Sequence, residues 1–596
     1  MFSSGSRAIG GRAAGSAHSF SFLRSRYLAR PRFAPPQKGS PVIGKACPRY
    51  KNRQLSFLAA KGREETRAEA RCLGHEIAQV LKSRGTRLVL HFDLNKTLIM
   101  VDPAGRKTQP QVLNSVLAEI CWGRVERGDA GQESRWIWDG CPPSPEPGLR
   151  KRTWGDGGER LHQKSLPLSP SVSYSDFLHG EFGDAEGKDN HRMKEMRDER
   201  KGSFTEDGQP GFDLRMEYRR LEQSLSLPEA VKSSPLAEGA GLAGRESFYL
   251  LPSFFRCLLA LKEAAVDFGV VFRTFGDDIV GVSREFNAFC EGTHPLFPGA
   301  KMDGSDGRGD FRINLGRAEG TTSGGGSTST STSTSTSRKS CSSYGTIGSF
   351  FRDEEGAALV MGTLDLDLDL DLDSDHPADR RKVRSVLLEQ KGHAVYRSIT
   401  DIHHAVCERV GALESPPASA PAELAVHSLP GLPRAADPPS RSSSSVEAAA
   451  AVAGHEEREK IDGRCLALRD YYPFWRENLE AAVAGKLLPV DLCGNPKVWP
   501  ILFDDNIGRP GSSCGAHIVD ARDADTGRPV SFDTALRRHL VRAEPFLAID
   551  QSDIGADGAF ACNYNFFLFE ILKRLAPERA ALYTADASSL GSAREP

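Results

Sequence analysis

No Cys-x-x-Cys pair occurs among the twelve cysteines of this 596-residue chain. Neither a zinc site nor a disulfide framework is therefore indicated, and reduced thiols are the default state. No apolar run reaches membrane-spanning length: the best, residues 248–261, is broken by Pro252 and Arg256, so no membrane span is expected. A surplus of one charge is missing too. With 77 basic and 79 acidic residues the net charge is −2, which gives no global field for nucleic acid or an anionic membrane, and no nucleic-acid partner is expected. There is no G-x-x-x-x-G-K-[ST] loop, and Gly276-Asp277-Asp278 does not make a dinucleotide fingerprint. Hydrophobic residues reach only 39%, against 58 Gly and 36 Pro, so one core interrupted by long insertions is expected.

Acidic residues are absent from residues 1–63, where Arg7, Arg12, Arg24, Arg26, Arg30 and Arg32 stand among Ser, Ala and Gly. That is the composition of an organelle transit peptide, with residues 20–28 suited to a short basic amphipathic helix; the bland alternative is a disordered basic tail. The expected location is a mitochondrion or plastid, with the cytoplasm as the alternative.

What is present is a series of short apolar runs. In residues 87–98, Leu88 to Phe92 is an apolar run that ends abruptly in Asp93-Leu94-Asn95-Lys96-Thr97. The run reads as a strand covered on both faces. The polar cluster reads as a turn at its carboxyl end, where open α/β sheets bind ligands. Ala68, Cys72, Ile77, Val80 and Leu81 space a helix within 64–83, and Val112, Val116, Leu117 and Ile120 mark another. Phe254, Phe255, Leu258, Leu259, Leu261 and Val266 give a helical face over 252–268, followed by a buried strand ending at Thr274, with the Asp93 strand as its expected neighbour. Residues 470–484 read as a helix, 498–508 as a strand ending in Asp504 and Asp505, 517–520 and 546–549 as further strands, and 566–575 as a closing helix. Strand and helix alternate, which argues α/β.

Between these runs the composition changes. Residues 126–245 are rich in Gly, Pro, Ser and mixed charge and are expected to be a largely disordered insertion, with exceptions at 136–138 and 216–221. The insertion 301–384 holds a Ser-Thr alternation at 327–337 and a Leu-Asp alternation at 364–373, both resembling repeat expansions. The acidic run is not a calcium loop, because the sixth and twelfth positions are Leu370 and His376. Residues 345–361 read as a β-hairpin with an acidic turn, suited to a small cap or flap. Residues 385–415 are a core or cap segment and 416–457 a disordered linker. The core is thus assembled from about 64–125, 246–300 and 458–585.

Three strand ends therefore carry Asp93 with Asn95 and Thr97, Thr274, and the pair Asp504-Asp505. Adjacent carboxylates at the mouth of a sheet repel unless a cation lies between them, and oxygen ligands suit Mg²⁺. A carboxylate is also a competent nucleophile toward phosphorus, and a nearby hydroxyl and Lys can hold the phosphoryl oxygens. Singly, each feature is commonplace: such residues form caps, turns and solvated loops. Asp401, His403 and His404 carry metal-capable groups, but consecutive side chains diverge, and a structural role is expected for them.

In this order, these motifs resemble the haloacid dehalogenase-like superfamily, whose first motif is an apolar strand followed by Asp-x-Asp-x-Thr; here it stands as Asp93-Leu94-Asn95-Lys96-Thr97. Residues 270–274 look like its second motif and 501–505 like its fourth. The resemblance implies a doubly wound, mainly parallel Rossmannoid core and Mg²⁺-dependent hydrolysis of a small phosphorylated substrate through an aspartyl-phosphate. It implies Asp93 as nucleophile and metal ligand, Thr274 and Thr97 on the phosphoryl group, and Asp504 or Asp505 completing the Mg²⁺ site. Its third motif is a Lys that neutralises the phosphoryl charge, for which Lys486 is the candidate and Lys497 the reserve. One departure matters. The family's phosphatases place a general acid-base Asp where this chain has Asn95, which cannot exchange a proton usefully but could still offer its backbone carbonyl to the metal. Lys96, His91 and Asp102 are conceivable substitutes, although His91 lies inside the apolar strand. The contrasting expectation is a catalytically impaired binding or scaffold protein with the same fold.

Overall fold

The computed structural model describes residues 67–103, 105–127, 134–145, 171–183, 188–315, 346–364, 394–412, 463–478, 480–494, 496–508, 518–549 and 565–583. The acid-free segment expected to be a transit peptide, the Ser-Thr run, most of the Leu-Asp run, the 416–457 linker and His517 lie outside the described residues. In chain order the elements are helix 67–84 (α1), Arg87–Asp93 (β1), Gln109–Ile120 (α2), Trp122–Glu126 (β2), Arg135–Trp138 (β3), Val172–Ser173 (β4), Tyr174–Glu181 (α3), Lys188–Gly202 (α4), Arg215–Leu225 (α5), Glu229–Lys232 (α6), Pro252–Glu263 (α7), Phe268–Thr274 (β5) and Ile279–Cys290 (α8). They continue with Ile347–Asp353 (β6), Gly356–Met361 (β7), Val395–Tyr396 (β8), Cys465–Asp470 (β9), Lys486–Val490 (β10), Val498–Asp504 (β11), Val519–Asp523 (β12) and Leu540–Arg542 (β13), with further helices between and after these strands.

β1 lacks alternating polarity because both its faces are covered. Leu88, Leu90 and Phe92 enter one apolar cluster and Val89 enters another on the opposite face. Phe92 lies against Phe254 of α7, Phe503 of β11 and Phe567 of the closing helix Phe566–Leu575, with ring centroids 5.1, 5.0 and 5.6 Å away. One aromatic therefore ties two strands and two helices together. The central sheet runs β13-β11-β1-β5-β9-β6-β7-β8; the first six are parallel, β7 pairs antiparallel to β6 and β8 antiparallel to β7, giving an α/β fold with a mostly parallel sheet flanked by helices. From β1 the order proceeds to β5 and β9 on one side and to β11 and β13 on the other. The crevice at the carboxyl end of β1 is thus where strand order reverses, the position at which such sheets take ligands.

The expected pairing of the Asp93 and Thr274 strands is present, with Asp93 opposite Arg273. Four expectations are corrected. The 345–361 hairpin forms, but as β6 and β7 it extends the central sheet through parallel pairing with β9 and is not a separate flap. The expected helix 470–484 shrinks to Tyr472–Glu477, and ahead of it stands a strand, β9, that the sequence reading missed because only Cys465-Leu-Ala-Leu468 is continuously apolar. Residues 546–549 lie in the short helix Pro545–Ala548 and its C-cap, not in a strand, since Pro545 opens a helical turn at N1. Much of the insertion expected to be disordered is folded: α3, α4 and α5 pack on α2, and Phe204, Leu214, Leu221, Leu225 and Leu242 are buried. A few widely spaced apolar anchors suffice there despite the polar composition. Among the described residues no helix is long and apolar enough to cross a membrane.

His539 precedes β13 and gives the fold an acid-sensitive point. It is fully buried, its Nδ1 lies 2.8 Å from the Pro500 carbonyl oxygen, and its Nε2 has no partner among the described residues. Burial, opposed by the Pro500 contact and aided by Arg538, pushes its pKa down to about 4. An unfolded histidine titrates near 6.5, so the folded state binds fewer protons between those values. The stability from keeping His539 neutral is complete above about pH 6.5 and is lost as pH falls toward 4, up to about 3 kcal/mol. His539→Leu is expected to flatten this part of the stability-pH curve, checked by urea unfolding at pH 7.5 and 5; an unchanged slope would remove His539 from the account.

Candidate active site

Strand register brings the sequence candidates to one row. Phe92 pairs with Phe503 and Asp93 with Arg273, so Asp504, Asp93 and Arg273 are successive neighbours across β11, β1 and β5. Arg273 is fully buried and bonds the Asp470 carboxylate at the end of β9 and the Leu487 carbonyl oxygen of β10. It thereby anchors β10 beneath the row.

β10 opens with Lys486, whose side chain is wholly inaccessible. Its ammonium donates to Asp93 Oδ1 and, at 2.8 Å, to Asp504 Oδ2, and sits 5.2 Å from the centre of the Phe275 ring. Gly485 permits this placement, because a Cβ there would come 2.0 Å from the Ile518 carbonyl oxygen. Asp504 and Asp93 push the Lys486 ammonium pKa up although burial opposes them. The reserve candidate Lys497 immediately precedes β11 at the opposite, amino end of the strands, seven residues from Asp504 and so about 23 Å away. It takes no part in the site.

Asp93, Asp504 and Asp505 each offer an oxygen within 4.8 Å of the others. Asp504 Oδ1 accepts from the Asn506 amide N–H at 2.9 Å, and Asp505 Oδ2 accepts from Lys96 Nζ at 3.2 Å. Burial, then the neighbouring carboxylates acting against Lys486, raises Asp93 well above the ordinary carboxylate range, and burial likewise raises Asp505. Three carboxylates thus face two ammoniums, Lys486 and Lys96. The negative charge there lies on hard oxygen donors, and Asp93, Asp504 and Asp505 are the residues that could hold a divalent cation. Side-chain exposure is 8% at Asp93, 11% at Asp505 and 18% at Lys96, against 0% at Lys486 and Asp504, so the site opens to solvent on the Asp505-Lys96 side.

The turn after β1 holds Lys96 in place. The Leu94 carbonyl oxygen accepts from the amides of Thr97, Leu98 and Ile99, and Lys96 takes the left-handed conformation, φ 59°. That costs a residue with a Cβ about 1 kcal/mol. Thr97 is fully buried in this turn with its hydroxyl unpaired among the described residues. Thr274 ends β5 one residue beyond the partner of Asp93, and its Oγ1 accepts from Gly276 N at 2.9 Å. Asn95 Oδ1 is buried without a hydrogen-bond partner among the described residues.

Of the conceivable proton carriers, Lys96 is committed to Asp505. His91 is buried in β1, where burial, then Arg273 and His403, holds it well below its ordinary pKa. Asp102 Oδ1 accepts from Gly105 N at 2.9 Å. His403 and His404 lie on helix Ile399–Arg409 with rings 6.2 Å apart; among the described residues the only group of metal-capable side chains is the Asp93 trio. Sequence reasoning missed Phe275 and the Arg273-Asp470 pair. Compared with models of protein families, with curated proteins and with solved structures, the chain matches none.

Proposed function

We propose that this chain is a haloacid dehalogenase-like phosphohydrolase, with a doubly wound core, that cleaves a small phosphoester through an aspartyl-phosphate on Asp93 and uses Mg²⁺. The observation that carries the reading is the meeting of Asp93, Asp504, Asp505 and Lys486, drawn from three strands, where strand order reverses at β1.

In the first step a carboxylate oxygen of Asp93 attacks phosphorus, the ester P–O bond breaks, and the leaving group departs as an oxyanion that takes its proton from solvent water. Lys486 holds the carboxylate in place and offers positive charge where the phosphoryl oxygens arrive, with the Thr274 hydroxyl on the next strand as a further contact. In the second step water attacks phosphorus, the P–O bond to Asp93 breaks, and inorganic phosphate leaves with the carboxylate restored. Mg²⁺, bound by Asp93, Asp504 and Asp505, would neutralise charge on the transferring group. Asn95 favours a second reading, a catalytically impaired protein that binds phosphate and serves as a binding or scaffold protein, because an amide supplies no proton.

Hydrolysis of an aryl phosphate with and without Mg²⁺ separates the two. The expected result is Mg²⁺-dependent turnover that Asp93→Asn lowers by roughly 10³-fold or more, as removal of a nucleophile does. If wild type and Asp93→Asn are equally inert while vanadate still binds, the binding reading replaces this one.

A further inference from the structure

An ammonium carries three N–H groups, and for Lys486 two of them meet oxygen: one donates to Asp93 Oδ1 and one, at 2.8 Å, to Asp504 Oδ2. Among the described residues no third oxygen accepts from it, and the side chain is closed to solvent. The remaining neighbour is the Phe275 ring, with the ammonium 5.2 Å over its centre. That ring is itself held by two others. Trp475 lies nearly parallel to it, 15° off with centroids 5.4 Å apart, and Tyr472 crosses it at 67° and 5.6 Å; both come from the helix Tyr472–Glu477 that follows β9. The chemistry of the place suits an aromatic. A third carboxylate would pin the ammonium and cancel more of its charge, and a water would be a mobile acceptor beside Asp93. A ring face attracts a cation through its quadrupole while taking no strong hydrogen bond, so the positive charge stays available to an arriving oxyanion.

We infer that Phe275 is a positioning residue: its ring, held by Trp475 and Tyr472, seats the Lys486 ammonium so that the ammonium can exchange its Asp93 contact for a phosphoryl oxygen. The inference rests on the proposed function, with Asp93 as nucleophile and Lys486 on the phosphoryl group. As a carboxylate oxygen of Asp93 bonds to phosphorus and the ester oxygen leaves with the bonding pair, Asp93 gives up its negative charge, and the N–H that it held turns to a phosphoryl oxygen. Asp504 and the ring remain as the two contacts on which the ammonium pivots. With an aliphatic side chain at position 275, Asp504 alone holds the ammonium during the transfer, and part of the charge stabilisation is lost. Before the transfer Asp93 still binds the ammonium, so the loss falls on kcat more than on KM.

Fluorination of the Phe275 ring tests this. In the full chain Phe275 is replaced by phenylalanines carrying one, two and three ring fluorines, which change the volume little and weaken the ring's hold on a cation step by step. Steady-state hydrolysis of an aryl phosphate with Mg²⁺ is then measured. The expected result is a kcat that falls with each fluorine, by about 10-fold for three, while KM changes by less than about 3-fold. Phe275→Leu is expected to lose about 10-fold in kcat, and Phe275→Tyr, which keeps a ring face, to stay within about 3-fold of the natural chain. The fluorinated rings keep the packing, so the test stands even if Phe275→Leu does not fold. A kcat that is flat across the fluorine series, or Phe275→Tyr as slow as Phe275→Leu, overturns the inference and leaves the nucleophile in place, Phe275 then serving only as packing. If the natural chain itself turns over no phosphoester, the proposed function falls and takes this role with it.

Discussion

Lys486→Met is expected to lower stability by about 3–5 kcal/mol and phosphoester turnover by roughly 10²–10³-fold. The substitution keeps the aliphatic stem and removes only the ammonium. In the folded protein that ammonium bonds Asp93 and Asp504 with no access to solvent. Without it, three carboxylates converge with Lys96 as the one remaining ammonium and Arg542 as a more distant counter-charge to Asp505. Because burial and the neighbouring carboxylates already raise Asp93, loss of Lys486 raises it further, and the carboxyl takes up a proton as pH falls through that raised value. The stability deficit of Lys486→Met is therefore largest near neutral pH and closes toward acid, the reverse of the His539 effect. Added Mg²⁺ narrows it as well, by supplying charge at the same point. Urea unfolding at several pH values, with and without Mg²⁺, checks this; a deficit independent of both would mean that packing, not charge, holds Lys486 there. Adding Asp93→Asn to Lys486→Met is expected to restore part of the loss, since the two side chains touch and their effects should not add.

The site-bearing strands were legible because each is an apolar run cut off by polar residues: Leu88 to Phe92 before Asp93, residues 268–273 before Thr274, residues 498–503 before Asp504. Burial on both faces removes the need for polar alternation, so these runs stand out from their surroundings. Lys486 and Lys497 were not distinguishable from neighbouring residues alone. What separates them is which end of the sheet each occupies, a consequence of strand direction and of β10 lying beneath the row. β9 was hidden because its four apolar residues run into Tyr471, Tyr472, Phe474 and Trp475, whose spacing suits a helix. The folded part of 126–245 was hidden because its anchors are few and far apart.

Asn95→Asp is expected to raise kcat by about 10²-fold, near the lower end of what a general acid contributes. The new carboxyl would sit against Asp278, a carboxyl that burial already raises above its ordinary range. Two carboxyls in contact do not both ionise readily, so the pair retains a proton near neutral pH. A retained proton is what the first step lacks in the natural chain, where Asn95 has none to give to the leaving oxygen. The gain should therefore depend on the leaving group. An alkoxide needs the proton far more than a phenoxide does, so an alkyl phosphate should gain most and an aryl phosphate least. In the second step the same pair can accept a proton from water, so any phosphoenzyme burst on the aryl ester should be smaller in Asn95→Asp than in the natural chain. Steady-state kcat on the two substrates, with burst amplitude on the aryl ester, is the measurement. Equal gains on both substrates would mean that the change acts on binding geometry and not on proton transfer. No gain on either, with Asp93 still phosphorylated, would mean that another group already supplies the proton and that the amide at position 95 is no handicap.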